Sequence, residues 1–306
     1  MRKTSIKKIT NPWLVLAHMC RHFPLKYLPD NTCIKIFYRA YLGCFPDLNK
    51  PQSYNEKLQW LKLYDRNPLY TTLSDKYLVR DFVSERIGEQ YLVPLLGVWD
   101  HVEEIDYDSL PNQFVLKCNH DSGSVVVCKD KESLDRKIAN AKLKKALKTQ
   151  YFWKGREYNY KDIKRKVIAE EYLCDGEGDE LTDYKYFCFD GVPRFIQVDR
   201  GRFSKHVRNF YDSDWNFIDV EYGCPNDKVT LDRMPHLHGK MLKLAATLSA
   251  GFPHVRVDFY VSKGQVYFGE MTFHHGGGFM TIIPKEYDIT WGQYLNIIQM
   301  RMDKDR

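Results

Sequence analysis

Residues 254–261 alternate between apolar and polar side chains, and this alternation constrains the fold more than any other feature of the sequence. Side chains on a β-strand point to opposite faces in turn, so Arg256, Asp258 and Tyr260 share one face. The opposite face carries Val255, Val257, Phe259 and Val261. The pattern predicts a strand with one buried apolar face and one polar face on which a cation and an anion lie together.

Residues 265–272 predict the partner strand of a hairpin and place Glu270 on one of its faces. The loop length decides which face that is, since a one-residue shift in register turns every side chain over. A two-residue turn at 263–264 would set Glu270 opposite to Asp258, whereas a three-residue loop ending in Gly264 would bring the two carboxylates together. We expect the three-residue loop.

Two carboxylates on neighbouring strands beside an arginine are suited to a magnesium–phosphate site. Hard cations such as Mg²⁺ take oxygen ligands, and an arginine can hold a phosphoryl group through charge-assisted hydrogen bonds. The same pattern fits a cross-strand ion pair between Arg256 and Asp258 on a solvated sheet face. From the strand pattern alone, both interpretations stay open.

The remaining segments predict helices mixed with antiparallel hairpins. Ser53 and Glu56 have the spacing of a capping box, which predicts a helix start. A polar, glycine-bearing tip at 119–124 separates two strand-like runs, and the Asp-Gly pair at 190–191 predicts another hairpin. Apolar residues recur with helical spacing over 232–250. These elements predict an α+β fold with mainly antiparallel sheets.

The composition is typical of a globular protein, with 43% hydrophobic and 28% charged residues in a chain of 306, and it excludes long disordered segments. The eight cysteines form no CxxC pair and no zinc-finger spacing, so we interpret them as reduced cytosolic thiols. The net charge of +6 suits an anionic partner such as a nucleotide, an acidic glycan or membrane headgroups.

The first residues are basic and precede a short apolar stretch around Trp13. That stretch leads to no small-residue cleavage site, so we predict no secretory signal, and no run approaches the ~20 apolar residues that span a bilayer. We expect a cytoplasmic protein whose N-terminal helix docks on its body. A weak peripheral contact of this basic end with the inner face of the membrane is the alternative. No nucleic-acid partner is predicted.

Several short motifs, taken together in their order and spacing, resemble the ATP-grasp superfamily. They are residues 75–76, 114–117, the tip at 119–124, and residues 168–173, 256–258, 270–272 and 276–278. The sequence is most similar to the TupA-like ATP-grasp proteins of bacterial cell-surface polysaccharide clusters, named after a teichuronopeptide biosynthesis protein. The resemblance runs from about Ser53 to Leu295.

The resemblance implies an ATP-grasp fold, in which two antiparallel-sheet lobes clamp ATP. The chain then divides into an N-terminal helical region with a short strand at 1–103, a small lobe at 104–172 and a C-terminal lobe with the magnesium site at 173–306. The implied enzyme is an ATP-dependent carboxylate–amine ligase that uses ATP and Mg²⁺ and forms an acyl phosphate. Its expected substrates are an acidic sugar or polysaccharide, such as a uronic acid, and an amino acid or related amine.

The resemblance also implies which residues bind ATP: Lys76, Lys117, His120, Ser122, Gly123, Ser124, Glu170, Glu171 and Leu173. Lys117 would reach the α-phosphate and adenine, and the tip at 119–124 would close over the β- and γ-phosphates through backbone N–H groups. Residues 170–173 would form the adenine hinge, and an acid of 175–180 would hold the ribose. The alternative for Lys117 is an exposed strand lysine, and the alternative for the tip at 119–124 is an ordinary hairpin turn.

By the same resemblance, Asp258, Glu270 and Thr272 would bind magnesium and Arg256 would stabilise the transferring phosphoryl group. Lys185 would make a second contact with phosphate or substrate. Many ATP-grasp enzymes have asparagine where this chain has Thr272, which leaves occupancy of the second metal site open.

The expected substrate contacts are Arg200, Arg202, His274 and His275. The two arginines belong to a cationic run that could hold carboxylates, or that could be a set of solvated edge-strand charges. This run comprises Arg194, Arg200, Arg202, Lys205, His206 and Arg208. We expect the adjacent histidines to lie on a substrate-facing loop, because two neighbours cannot easily turn inward together.

Two other classes of protein stay open. A glycosyltransferase could use Asp212-Ser213-Asp214 as a DxD metal site for a nucleotide sugar, although the triplet also fits a polar hairpin turn. A glycan-binding module without activity is the third possibility. Binding of ATP with magnesium, turnover of a nucleotide sugar, or neither would distinguish the three.

Overall fold

The computed structural model describes residues 11–174, 181–201 and 206–297. Its helices are α1 Pro12–Met19, α2 Asp30–Leu42, α3 Tyr54–Tyr64, α4 Leu69–Ser74, α5 Val79–Ile87, α6 Arg136–Leu147, α7 Phe152–Gly155, α8 His238–Ser249 and α9 Glu286–Tyr294. Short 3₁₀ turns lie at Leu25–Tyr27, Glu89–Tyr91, Val102–Glu104, Tyr158–Tyr160 and His275–Gly278. No helix in these ranges is long and apolar enough to cross a membrane.

The strands are β1 Leu95–Trp99, β2 Phe114–Cys118, β3 Val126–Cys128, β4 Val167–Glu171, β5 Asp183–Phe189, β6 Val192–Arg200, β7 Val207–Asp212, β8 Phe217–Ile218, β9 Glu221–Tyr222, β10 His254–Ser262, β11 Gln265–Thr272 and β12 Ile282–Ile283. Within the described ranges they form a four-stranded sheet, β1-β4-β2-β3, a six-stranded sheet, β11-β10-β5-β6-β7-β8, and a small β12-β9 pair. Neighbouring strands are antiparallel. The predicted α+β class is confirmed.

The small sheet has its own core, formed with α6. Phe114 and Leu116 of β2 pack with Leu143 of α6 and Val167 of β4 in one buried cluster. Strand β1 is an edge strand of this sheet, paired with β4. The boundary expected at residue 104 therefore separates β1 from the sheet to which it belongs.

The six-stranded sheet buries one face against α8, as the alternating pattern predicts. Val255, Val257 and Phe259 of β10 lie in the same buried cluster as Met241 and Leu248 of α8. Burying such side chains contributes roughly 1.5–3 kcal/mol each, so this contact stabilises the packing of α8 on the sheet.

The opposite face of the six-stranded sheet is divided into an aromatic half and a polar half. In the aromatic half Phe187 and Phe195 pack under Trp291 of α9, with the Phe195 and Trp291 rings 4.3 Å apart. Helix α3 covers the same cluster through Tyr54 and Leu58. The polar half begins two residues away along each strand, at Lys185 on β5 and Gln197 on β6.

Helix ends follow local hydrogen bonding more closely than apolar spacing. The capping box predicted at Ser53 is present, with Glu56 at its third position. The helix predicted over 232–250 begins at His238, after Pro235, because Asp232 is held outside it by hydrogen bonds with Tyr211.

Asp75 separates two helices, α4 and α5. Helix α4 ends at Ser74, and Asp75 leaves the helical region with a ψ of 114°. Its carboxylate accepts hydrogen bonds from the backbone N–H groups of Tyr77 and Leu78, at 2.8 and 3.2 Å, a turn that competes with the helix. Helix α5 then starts at Val79.

The β10–β11 hairpin brings Asp258 and Glu270 opposite each other, although its loop is not the expected one. The turn has two residues, Lys263 and Gly264, with φ angles of 49° and 74°, and Ser262 pairs with Gln265. The one-residue shift that a three-residue loop would have supplied comes instead from a bulge in β11. Phe259 pairs with Phe268, whereas Asp258 pairs with Glu270. Gly269 is the extra residue.

The bulge has room for a glycine and for little else. A Cβ atom built on Gly269 would lie 3.0 Å from Cε2 of Tyr260 and 3.2 Å from the Asp258 carbonyl oxygen. The tyrosine ring end can shift, but the carbonyl belongs to the strand that carries the Asp258 side chain. Glycine at this position therefore preserves the alignment of the two carboxylates.

Gly269→Ala should lower the free energy of unfolding by about 1–3 kcal/mol through overpacking at the bulge. Gly239→Ala is the matched control, because a Cβ there meets nothing within 4 Å and alanine is the better helix former; it should raise stability by roughly 0.5 kcal/mol. Urea unfolding of both variants measures the difference. Equal stability of Gly269→Ala and the unsubstituted protein would contradict this account of the bulge.

Candidate functional site

The polar half of the six-stranded sheet is built by strand register. Asp258 of β10 pairs with Glu270 on one side and with Lys185 of β5 on the other, and Lys185 pairs in turn with Gln197 of β6. Paired residues of an antiparallel ladder point to the same face. Four polar side chains from four strands therefore lie in one row.

A second row runs beside the first through Asp183, Asp199 and Arg208 of β5, β6 and β7. Arg208 donates from Nε to Asp199 Oδ1 at 2.8 Å, and His206 lies 3.1 Å from the same oxygen. Gln197 donates to the other Asp199 oxygen at 2.8 Å. The two rows form a charged patch with cations and carboxylates in alternation.

Arg256 is the centre of this patch and is buried. It makes a bidentate contact with Asp258, 2.6 Å from Nε to Oδ1 and 2.6 Å from Nη2 to Oδ2. Nη2 also lies 2.7 Å from Oε1 of Glu270 and 3.1 Å from Oγ1 of Thr272. One guanidinium thus holds the three residues that the sequence predicts as metal ligands.

Lys185 supplies the second buried cation. Its Nζ lies 3.0 Å from a carboxylate oxygen of Asp258 and 3.0 Å from one of Asp183. Asp258 is therefore shared between an arginine and a lysine. Such clustering offsets the cost of keeping carboxylates away from water.

Glu270 is held ionised by the cations around it. Burial alone would raise its pKa, but the charges of Lys76, Arg256 and Lys185 lower the pKa to about 2. Lys76 Nζ lies 3.8 Å from Glu270 Oε2. The carboxylate is available to a metal cation over the whole physiological pH range.

Lys76 also ties this patch to the small lobe. Its Nζ donates to the Asp121 carbonyl at 2.7 Å, and its backbone N–H donates to the Asn119 carbonyl at 3.0 Å. The Asn119 side chain in turn donates to Asp75 at 2.8 Å. The predicted phosphate loop is thereby fixed beside the carboxylates of the sheet.

The loop tip at 119–124 separates into exposed and buried parts. Ser122 and Gly123 are exposed, and Gly123 has a φ of 112° with open space around it. Ser124 is buried, accepts a hydrogen bond from the Cys118 backbone N–H at 2.9 Å and closes the hairpin. His120 is turned into the small lobe, with Nε2 3.2 Å from backbone carbonyls of α6 and its C-terminal end.

Lys117 of β2 and Glu170 of β4 meet on one face of the small sheet. The Lys117 Nζ lies 2.5 Å from Glu170 Oε2, and Arg80 of α5 lies 3.6 Å from the other oxygen. The sequence reasoning did not single out Arg80. In the sequence Arg80 is a single cation five residues after Asp75, and a lone cation at that spacing does not indicate a function.

A cleft of about 480 Å³ lies between the end of β4 and the β10–β11 turn. It is lined by Pro111, Asn112, Gln113, Glu171, Tyr172, Leu173, Cys174, Ser262, Lys263 and Tyr267. Glu171 and Leu173 of the predicted hinge therefore face this cleft. The predicted ribose acid in 175–180 lies outside the described residues.

His274 and His275 are both buried, which differs from the expected substrate-facing loop. His275 Nδ1 lies 3.1 Å from Nη1 of Arg256, and its ring stacks on Phe187 at 4.9 Å. His274 Nδ1 lies 3.2 Å from Oδ1 of Asn159. Three successive glycines, 276–278, take φ angles of 57–66° and let the chain turn both rings inward.

Arg200 is not brought to the polar patch. It alternates with Asp199 along β6, so it points to the opposite face, where Nε pairs with Asp232 at 2.8 Å. Asp232 accepts there from the hydroxyl of Tyr211, a residue of the α8 core. Arg202 and Lys205 lie outside the described residues.

Asp212-Ser213-Asp214 forms the turn between β7 and β8. Asp212 Oδ1 accepts from the backbone N–H groups of Asp214 and Asn216, at 2.9 and 2.8 Å. Oδ2 accepts from the Asn216 side chain at 2.9 Å. This is the polar hairpin turn that was the alternative to a nucleotide-sugar site.

Comparison with known proteins assigns the chain to a family. The TupA-like ATP-grasp family model matches residues 56–296, so the chain belongs to that family and the resemblance seen in the sequence is confirmed. No curated protein matches the chain in sequence.

Solved structures of ligases are among the similar folds. D-alanine–D-alanine ligase from Bacillus anthracis is 17% identical, with 66% of this chain and 57% of that chain covered and a TM-score of 0.39. The Helicobacter pylori enzyme is 13% identical, with 74% and 64% covered and a TM-score of 0.38. The ATP-grasp ligase PsnB, in a complex with Mg and ADP, is 9% identical, with 71% and 57% covered and a TM-score of 0.39. The chain thus spans less than two thirds of each.

The buried histidines around Arg256 predict a pH dependence of stability. Burial lowers the pKa of His254 to about 4, and it lowers the pKa of His274 and His275 well below the usual value. Because an unfolded histidine titrates near ~6.5, each contributes stability above that pH that is lost as pH falls through the folded pKa. The expected slope is about 1.4 kcal/mol per pH unit for each histidine.

His254→Asn tests this dependence, since the asparagine Nδ2 can take the place of Nδ1 and still donate to the Cys188 carbonyl that lies 2.9 Å from Nδ1. At about pH 5 the variant should take up roughly one proton fewer on unfolding than the unsubstituted protein, and at about pH 8 the two should agree. Calorimetry in buffers of different ionisation enthalpy counts the protons. Equal uptake at the lower pH would contradict the assignment.

Proposed function

We propose that this member of the TupA-like ATP-grasp family is an ATP-dependent ligase that joins a carboxylate to an amine through an acyl phosphate. The observation that carries the proposal is the cluster of Arg256, Asp258 and Glu270, which Lys76 ties to the loop at 119–124. Family membership supports the reaction class, and the cluster is where phosphoryl transfer would occur.

ATP would lie between the two sheets. The 480 Å³ cleft at the end of β4 accommodates the base, with Glu171 and Leu173 in its wall. Lys117 and Arg80 supply cations on the way to the phosphates, and both are balanced by Glu170. The exposed tip at Ser122 and Gly123 offers backbone N–H groups to the terminal phosphates.

The donor set suits Mg²⁺. Magnesium usually binds through one or two carboxylates and takes its other ligands from phosphate and water. Asp258 and Glu270 supply two carboxylates in register, and no larger His, Cys, Asp or Glu group suited to a metal occurs among the residues that the structure describes. Mg²⁺ bound to both carboxylates would neutralise charge that develops on the transferred phosphoryl group.

Arg256 and Lys185 would act on the reacting groups directly. A carboxylate oxygen of the substrate attacks the γ-phosphorus and ADP leaves; an amine then attacks the acyl carbon, phosphate leaves and the amine loses a proton. The planar fork of Arg256 can hold two oxygens of the transferred group. Lys185 lies on the neighbouring strand and can orient the substrate carboxylate. Closure of the tip excludes water, which would hydrolyse the acyl phosphate.

We also propose that the carboxylate substrate is an acidic sugar and the amine an amino acid or a related compound. The family resemblance to proteins of cell-surface polysaccharide clusters suggests this class. The charged patch supports it, since Arg208 adds a cation beyond Lys185 on the face that carries Asp258. Arg200 is on the other face and is no longer part of the proposed subsite.

Asp258→Asn and Glu270→Gln should each reduce ADP formation by more than about a hundredfold, because charge compensation at the phosphates is lost. Asp288→Asn is the matched control, a buried aspartate of α9 whose carboxylate accepts from the Asn55 backbone N–H at 2.9 Å. Thermal unfolding checks that all three fold. Substantial turnover by both site variants, or an equal loss in Asp288→Asn, would refute the metal assignment.

Arg208→Gln should raise the KM for a uronic acid roughly tenfold while the KM for ATP changes little. Arg200→Gln is the matched control, because each arginine loses one Nε contact of 2.8 Å with an aspartate and only Arg208 is on the patch. Steady-state ADP release measures both constants. The acidic-sugar proposal fails if free amino acids alone stimulate ADP release and a uronic acid never does.

A further inference from the structure

The net positive charge of this chain arises at one end of the sequence. Residues 1–29 contain six lysines and arginines, two histidines and no aspartate or glutamate. The other 277 residues contain 40 basic and 40 acidic residues, so the whole net charge of +6 arises in this N-terminal part. Charge concentrated in this way marks an electrostatic attraction to an anionic partner.

The same part of the chain exposes large apolar side chains. Phe23 is 79% exposed and Tyr27 66% exposed, with their rings 6.2 Å apart. Val15 and Met19, one helical turn apart on α1, are each about half exposed. Lys26 lies 5.0 Å from the Tyr27 ring. Aromatic and apolar groups therefore stand at the surface beside cations.

A buried arginine holds this surface in place from below. Arg156 donates to the backbone carbonyls of Cys20 and Lys26, at 3.1 and 2.7 Å, and to the Asp30 carboxylate at 3.0 Å. On the inner side, Ala17 and Cys20 pack against Phe37 of α2. The apolar side chains that stay outside are thus a fixed feature of a packed segment.

We propose that this surface, formed by residues 12–29, docks on a bilayer that contains anionic lipids. Aromatic and apolar side chains insert at the headgroup level, and basic residues beside them are attracted to the anionic surface. Neither signal alone gives stable anchoring, whereas the two together do. Two copies of this surface would instead bring Arg21 and Lys26 of one chain against the same cations of the other, with no acidic residue in 12–29 to balance them, which disfavours a second copy as the occupant.

This inference stands apart from the ligase reaction, because none of its residues belongs to the proposed active site. It places the enzyme at a membrane surface while the sheets with the charged patch stay in solution. The acidic substrate proposed above could then be either free or attached to lipid without changing the docking argument.

Co-sedimentation with vesicles tests the docking. The full chain should bind vesicles of phosphatidylcholine and phosphatidylglycerol in equal parts, should not bind phosphatidylcholine alone, and should be released at about 0.5 M salt. Met19→Ser with Phe23→Ser should weaken binding at least about tenfold, and Lys26→Glu at least about fivefold. Ile138→Ser, which alters a residue that is 68% exposed on lysine-rich α6, should bind as the unsubstituted protein does.

Failure to bind anionic vesicles at low salt would overturn the proposal, as would equal binding by the double variant. A dimer in sedimentation velocity that Met19→Ser with Phe23→Ser converts to a monomer would assign the surface to a second copy instead. If the double variant does not fold, Lys26→Glu decides the question, since its side chain lies at the surface. ADP release is also measured without vesicles, so that a loss of vesicle binding can be distinguished from a loss of ligase activity.

Discussion

The charge of Arg256 is buried in the middle of a sheet face, and the rest of the site depends on how that charge is balanced. A guanidinium removed from water is stable only with carboxylates in good geometry around it. Asp258 provides two oxygens from the same strand, and Glu270 provides a third from the next strand. Lys185 and Lys76 balance the negative charge that remains on these carboxylates. The strands, the bulge and the loop of the small lobe all contribute to this one balance.

The link between the lobes follows from the same electrostatics. Lys76 belongs to the helical region before the small sheet, yet its ammonium group is shared between a carbonyl of the loop tip and the Glu270 carboxylate. Asp75 next to it breaks the helix and binds Asn119, so that two adjacent residues fix both sides of the junction. The adjacent residues Asp75 and Lys76 thus connect the loop at 119–124 with the Glu270 carboxylate of the six-stranded sheet.

Periodicity predicted most of the architecture, because alternation and capping are local properties of the sequence. The buried face of β10, the capping box at Ser53 and the α+β class all followed from such patterns. The two-residue turn with a compensating bulge could not be predicted, since both loop lengths satisfy the same turn chemistry and only tertiary pairing selects one. The inward histidines also depend on packing, whereas the far-side position of Arg200 follows from its alternation with Asp199 once both are placed on β6.

Because of the bulge at Gly269, the site responds differently to the insertion and to the deletion of one residue in this hairpin. One residue more than a regular two-residue hairpin needs lies between Glu270 and the turn, and the bulge at Gly269 absorbs it, so that Glu270 still pairs with Asp258. A single-codon insertion or deletion in this stretch therefore acts on the register as well as on the loop length. An added codon near the turn would rotate Glu270, Met271 and Thr272 as a block, exchanging the buried methionine with the polar pair. Loss of the Gly269 codon would straighten the strand and still leave the two acids paired. The pairing of the two acids is thus kept when Gly269 is deleted, whereas an insertion near the turn removes it.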